Sequence, residues 1–512
     1  LAELRAAWGT PGKYVFVSGN LKLEGDAEAQ IQAAYAKADA VPVAPVVDER
    51  KLTWDYTDFG APGTVASRTH VDDLDITEVT FSNGVRLNLK KTDFEANKIH
   101  IAMRLGDGKL SEPGVAKPGI GVFANVVFSA GGLGKYSMDD LRRLLAGKNV
   151  GGIFNTTMDA FTLRGETNRE DLMLEFQLLA ASVTDPGYRP EAVRKARQLI
   201  DTTYVSYLHT VQGPISLHVE SLLASGDPRF GLPPRDQMMA RNQEEVRQWL
   251  APELQHGAIE IAVAGDFDVD TLIDAVAKTF GALPKRDPRP PLEQQQLVYY
   301  PASPFTEDYG IDTATPKAEV RVFWRATDGL DVHRQRRMHI LASVLEDRLR
   351  LKVREQLGST YGAFVEPVAS DIFPGYGYFE AITDVDPPKA KQIQDVVVQV
   401  AAELAANGAT QDEIDRAKNP ILSSINESAR TNGYWMTVLG RAQEKPQVLD
   451  WARTRTADFT SITKEEINTL ARRYLGAEGA SRVIIHPFPA PVASPLLTKP
   501  APARYEPPPD GA

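Results

Sequence analysis

Cysteine is absent from all 512 residues. Its absence excludes disulfides, thiolate metal sites and cysteine nucleophiles together. It fits an oxidising compartment reached without disulfide staples about as well as it fits the cytosol. Long apolar runs are missing too. Segments such as Ile259–Ala264 are broken by charge after a few residues, far short of the ~18–20 that a membrane span needs. Positive charge is outnumbered: 57 Lys and Arg against 68 Asp and Glu leave a net charge of −11, which repels phosphate backbones and argues against nucleic acid as a partner. The histidines are His70, His100, His209, His218, His256, His333, His339 and His486, and no two stand four apart. Neither His-x-x-Glu-His nor its reverse therefore occurs. Gly131-Gly-Leu-Gly134-Lys135 fails as a phosphate loop, because Ser129 stands where the first Gly belongs and Tyr136 where Ser or Thr must bind Mg²⁺. No Gly-x-Ser-x-Gly elbow supports a serine hydrolase. The opening Leu1-Ala2-Glu3-Leu4-Arg5 carries no initiator Met, basic n-region or apolar h-region, so targeting is unreadable and a removed upstream segment is expected.

The apolar fraction of 43% and charged fraction of 24% belong to an ordinary globular protein, and the length exceeds one core, so two to four domains are expected. Self-similarity divides them. The strand-like Phe161–Asn168 leads into a helix whose Leu172, Phe176, Leu179 and Val183 share one face. A turn at Asp185-Pro186-Gly187 follows, then a helix opening at Pro190. Gly377–Asp384 leads likewise into a helix with Ile393, Val396, Val397, Val400 and Leu404 on one face. It stops at Asn407-Gly408, and the next helix opens with a Thr410-x-x-Glu413 capping box. The copies lie roughly 216–221 residues apart, which is domain-sized duplication.

A second echo concerns how the units close. Residues 259–284 read as a buried strand, a Gly turn, a helix and a stop, and residues 13–42 read the same way with a longer turn. Ile31 to Pro42 matches Ile273 to Pro284 in spacing. The expected organisation is then a closing strand and helix of a truncated upstream unit over 1–42, a linker or hinge over 43–78 and a full unit over 79–286. A Pro-rich linker over 287–310, a second full unit over 311–488 and a Pro/Ala tail over 489–512 that cannot bury a core complete it.

Each full unit opens with strands, continues through helices and further strands, and ends in amphipathic helices. This duplicated α+β unit, with the hairpin-like Asn83–Phe94 and the segment Glu319–Phe364, resembles the M16 (insulinase/pitrilysin-like) zinc metallopeptidases over roughly residues 13–486. The resemblance implies tandem M16/LuxS-like domains, each a mostly antiparallel sheet covered by helices. It also implies two halves closing over an unstructured peptide, with zinc held in the other half by His-x-x-Glu-His on a helix. Two His one turn apart grip the metal there, while the Glu between them activates its water. Aligned on Phe128, the corresponding positions of this chain are Gly121, Ala124 and Asn125, a degenerate metal site. No cofactor is expected on this chain, and zinc is expected in an upstream half or a partner subunit. The family's non-zinc half supplies an Arg/Tyr pair seven residues apart, which Arg354 and Tyr361 match. Guanidinium and phenol are suitable donors to the oxyanion of a tetrahedral intermediate. Lys352 is the alternative cation if the alignment slips by two. The resemblance thus implies the substrate-binding half of a bacterial, periplasmic peptidase, inactive alone, whose partners are a peptide and a zinc-bearing half. A catalytically dead scaffold subunit of the same fold is the alternative, for which keeping Arg354 and Tyr361 at that spacing has no reason.

Overall fold

The computed structural model describes Glu3 and residues 14–19, 23–42, 52–357 and 362–488. The chain divides into two units, at Thr53/Trp54. In the first, Asp26 caps the helix Ala27–Asp39 by accepting the Ala29 N–H at 3.0 Å, and none of the helical residues is buried. Residues 14–18, where a closing strand is expected, carry no strand pairing among the described residues, with Tyr14 91% and Phe16 76% exposed. A strand needs a hydrogen-bonding neighbour, and none of the described residues supplies one.

The second unit holds two sheets. Strands β1 (Val65–Val71), β2 (Ile76–Phe81), β3 (Arg86–Lys91), β4 (Ile99–Leu105), β5 (Gly152–Thr156), β6 (Phe161–Thr167) and β7 (Ile259–Gly265) form the first, in the order β1-β2-β3-β7-β4-β6-β5. Strands β8 (Thr306–Ile311), β9 (Ala318–Arg325), β10 (Ala363–Ala369), β11 (Gly377–Val385) and β12 (Ala480–Pro487) form the second, in the order β10-β11-β9-β12-β8. The run β3-β7-β4-β6-β5 and the run β8-β12-β9-β11-β10 are one topology drawn twice. Each has a single parallel pair, β3 with β7 and β8 with β12, and is otherwise antiparallel. The α+β reading with mostly antiparallel sheets holds. One face of each sheet packs on long helices. The first core gathers Phe123, Val127, Phe176, Leu179 and Val263, and the second gathers Val322, Leu341, Leu345, Val397 and Leu404.

The opposite faces are covered by exchange. Trp435, Val438 and Leu439 of the helix Asn432–Leu439, which belongs to the second half of the chain, lie on Ile76, Ala262 and Ala264 of the first sheet. Ile215, Val219 and Leu223, from the first half, lie on Phe323, Val483 and Ile485 of the second sheet. Polar side chains stitch the first seam: Asn88 donates to Glu260 at 2.7 Å and to the Leu439 carbonyl at 2.8 Å, while Gln443 donates its N–H to Glu260 at 2.9 Å. Arg289 adds a 2.6 Å pair with Glu444. Buried polar groups satisfied in this way fix one register between the two sheets.

Two expected linkers are partly structured. β1 and the start of β2 lie within 43–78, and most of β8 lies within 287–310. Both β1 and β8 are edge strands, and β1 is exposed along nearly its whole length, so neither carries the apolar alternation that marks a half-buried strand. Ahead of β1, residues 54–63 are strapped to the helices Leu172–Thr184 and Val269–Lys278 and the turn at Asp185. Trp54 donates to Gln177 at 2.9 Å, Tyr56 to Asp185 at 2.6 Å, and the Gly63 N–H to the Ala277 carbonyl at 2.8 Å.

Candidate functional site

Arg354 stands in the last turn of the helix Val332–Leu357. Asp331 starts that helix by accepting the His333 and Arg334 N–H groups at 2.9 and 3.2 Å. Its Met338, Leu341, Leu345, Leu349 and Val353 recur every three or four residues and are fully buried. One position on from Val353, the helix turns ~100° and carries Arg354 into solvent. A hydrated guanidinium is a weak oxyanion donor; it gains strength where water is excluded, so a second body must cover it for this chemistry. Lys352, the alternative cation, lies 3.5 Å from Glu355. Tyr361 lies outside the described residues.

Gly121, Ala124 and Asn125 lie on the helix Ile120–Gly131, against β5. A side chain grown from Gly121 meets Thr156 Cγ2 at 3.4 Å and Trp249 at 3.7 Å, and Ala124 is fully buried. The Asn125 Oδ1 accepts the Thr156 N–H at 2.7 Å. Glycine and alanine carry no donor atom, and the one carbonyl present is committed, so these positions do not fit a zinc ion. Among the described residues no group of three or more His, Cys, Asp or Glu side chains is placed to hold a metal ion.

The bond from Thr156 to Asn125 has a counterpart in the second sheet. There the Val365 N–H, on edge strand β10, donates to Glu346 of the long helix at 3.0 Å. The next residue of the same parity is Pro367, which has no N–H to offer. The outer rim of β10 is thereby blunted against a further strand. Sequence reasoning missed both contacts, although a proline inside Ala363–Ala369 was a legible sign of an edge.

Another missed residue is Glu175. It sits on the apolar face of the helix Leu172–Thr184, fully buried, and accepts the Gly151 N–H at 2.8 Å while its Oε1 has no hydrogen-bond partner. Burial pushes its carboxyl up to about 8, against the opposing pull of the Gly151 hydrogen bond. It is a neutral acid under ordinary conditions, beneath the strand that Gly151 leads into.

The architecture is that of the M16 peptidase halves. The periplasmic protease PqqL of Escherichia coli superposes with a TM-score of 0.71 at 18% identity, over 91% of this chain and 51% of that one. A peptidase M16 inactive domain from Pseudomonas fluorescens gives 0.68 at 17% identity, over 82% of this chain and 100% of that one. In sequence, the chloroplastic stromal processing peptidase of Arabidopsis thaliana is 23% identical over 438 residues, 75% of this chain and 34% of that protein. The chain thus spans about a third of the length of the curated relatives it matches. Residues 242–421 match the family model described as the peptidase M16 inactive domain. Over residues 242–421 the chain is thus similar to the non-zinc half of the M16 metallopeptidases, and its fold is the one those halves share.

Proposed function

We propose that this chain is the substrate-binding half of an M16 peptidase that degrades unstructured peptides, and that a zinc-bearing half, upstream or on a partner chain, completes it. The observation that carries this reading is the match to an inactive M16 domain, together with Gly121, Ala124 and Asn125 in place of metal donors. Arg354 and Tyr361 contact the scissile carbonyl once the two halves enclose the peptide. A bacterial periplasmic setting is part of the proposal, supported by the likeness to a periplasmic protease and compatible with the lack of cysteine.

The test is cleavage of an unstructured peptide with added Zn²⁺, by this chain alone and with the zinc-bearing half. The expected result is no cleavage alone, cleavage on adding the second half, and loss of that gain in Tyr361→Phe. Zn²⁺-dependent cleavage by this chain alone would overturn the proposal.

A further inference from the structure

We propose that the uncovered margin of the second sheet, where Phe364 and Glu366 stand side by side on β10, takes a lysine or arginine side chain of the bound peptide. The inference rests on the reading of the chain as a peptide-binding half and names a residue class that this half selects.

The strand registers lay out a grid on the face turned away from the long helices. Phe364, Ile382 and Arg321 form one row across β10, β11 and β9, and Glu366, Glu380 and Phe323 form the next row of that face. Val365, Ala381 and Val322, in the row between, point the other way into the helix-side core. Around Phe323 the face is covered by Ile215, Val219 and Leu223. That cover does not reach Phe364, which is 49% exposed, and Ile382 and Glu366 beside it are partly exposed. The margin is a strip of apolar surface with a carboxylate at its lip.

Charge in the grid is unbalanced. Arg321 is shared by Glu319 and Glu380, at 2.6 Å from each. Glu366 stands directly across from Glu380, a like-charge pair that works against the sheet. Burial raises the Glu380 carboxyl, Arg321 draws it back, and the Glu366 charge pushes it up again. Among the described residues Glu366 has no cation as partner. Residues two apart on a strand lie ~7 Å apart on one face. That span suits a Lys or Arg, whose methylenes lie over Phe364 and Ile382 while the ring face attracts the cation and Glu366 receives its head. An acidic side chain in the same place adds a further carboxylate to the repulsion, and a neutral one leaves it unrelieved.

The experiment uses the whole chain and three fluorescein-labelled unstructured peptides, identical except for one central residue between two leucines: lysine, glutamine or glutamate. Anisotropy at low salt is expected to place the lysine peptide about threefold above the glutamine peptide in affinity and about tenfold above the glutamate one. The differences are expected to close in about 0.5 M salt. Glu366→Gln is expected to erase the lysine preference while the glutamine peptide binds as before, and Glu366→Lys to reverse it. Phe364→Ala is expected to weaken the lysine peptide severalfold with the thermal midpoint in place. Equal affinities in the wild-type chain, no binding of any of the three, or a lysine preference that survives Glu366→Gln would overturn the site. Slowed amide exchange at Phe364 on adding the zinc-bearing half without peptide, or on concentrating the chain alone, would also overturn it, by assigning the margin to a joint between proteins. Cleavage of the glutamine peptide in the complementation assay decides the half-enzyme reading separately.

Discussion

Replacing Glu175 by Gln is expected to make the protein more stable in mild alkali. The carboxyl is fully buried, with one oxygen on the Gly151 N–H and the other unpartnered. Its proton is held up to about 8, against an ordinary value of 4.5. Between those two values the folded chain keeps a proton that the unfolded chain releases, so stability falls as pH rises. The slope is ~1.4 kcal/mol per pH unit, and the full loss above pH 8 is ~5 kcal/mol. Glu175→Gln preserves the shape and the acceptor for Gly151 but removes the titration. Urea denaturation at several values between pH 5 and pH 8 reads this directly. Burial also raises Glu112, Glu253 and Glu260, so the wild-type curve is a sum, and only the difference between wild type and variant isolates Glu175. The two curves should run within ~1 kcal/mol at pH 5 and diverge by several kcal/mol at pH 8. Parallel curves across the range would refute the argument.

Trp435→Ala should cost ~3–5 kcal/mol. Because Trp435 sits on the first sheet, fluorescence and circular dichroism should both report the loss in one shared unfolding transition. Asp458 is held at about 2: burial opposes its ionisation, but hydrogen bonds from Arg337, His333 and Arg336 outweigh that cost. Its stabilisation is present above the ordinary Asp value and is lost as pH falls toward 2. Asp458→Asn should therefore cost ~2–3 kcal/mol at neutral pH and converge with wild type in acid, as measured by thermal melts. Limited tryptic digestion should spare the bond after Arg68, whose guanidinium reaches from β1 to within 2.8 Å of Asp270 in the helix Val269–Lys278; early cutting there would mean that β1 is not held.

The sequence pattern reached what local burial writes into it. Leu172, Phe176, Leu179 and Val183 are buried as their spacing implies, and so are Ile393, Val397 and Leu404. The duplicated topology follows from those repeated stripes. Edge strands escaped because β1 and β8 bury too little to alternate. The crosswise packing escaped because Asn432–Leu439 is a short apolar segment whose partners, Ile76 and Ala262, lie far away in sequence. Asn125 drew notice in the sequence only by its alignment with a metal position, and its hold on Thr156 depends on the angle at which a helix meets a sheet rim. Glu175 looked like one charge in an otherwise apolar helix, and only the depth of its site gives it a raised proton affinity.

The exchange of covering helices has a consequence for ancestry. Duplication supplied two copies of one unit, but each copy now shelters the other's bare sheet. Excising either would leave its sibling with an uncovered apolar surface of the kind that drives aggregation. Recombination can shuffle this pair as a block, and a break between the two members would orphan both. The heritable module is the couple, and its members have lost the option of separate lives.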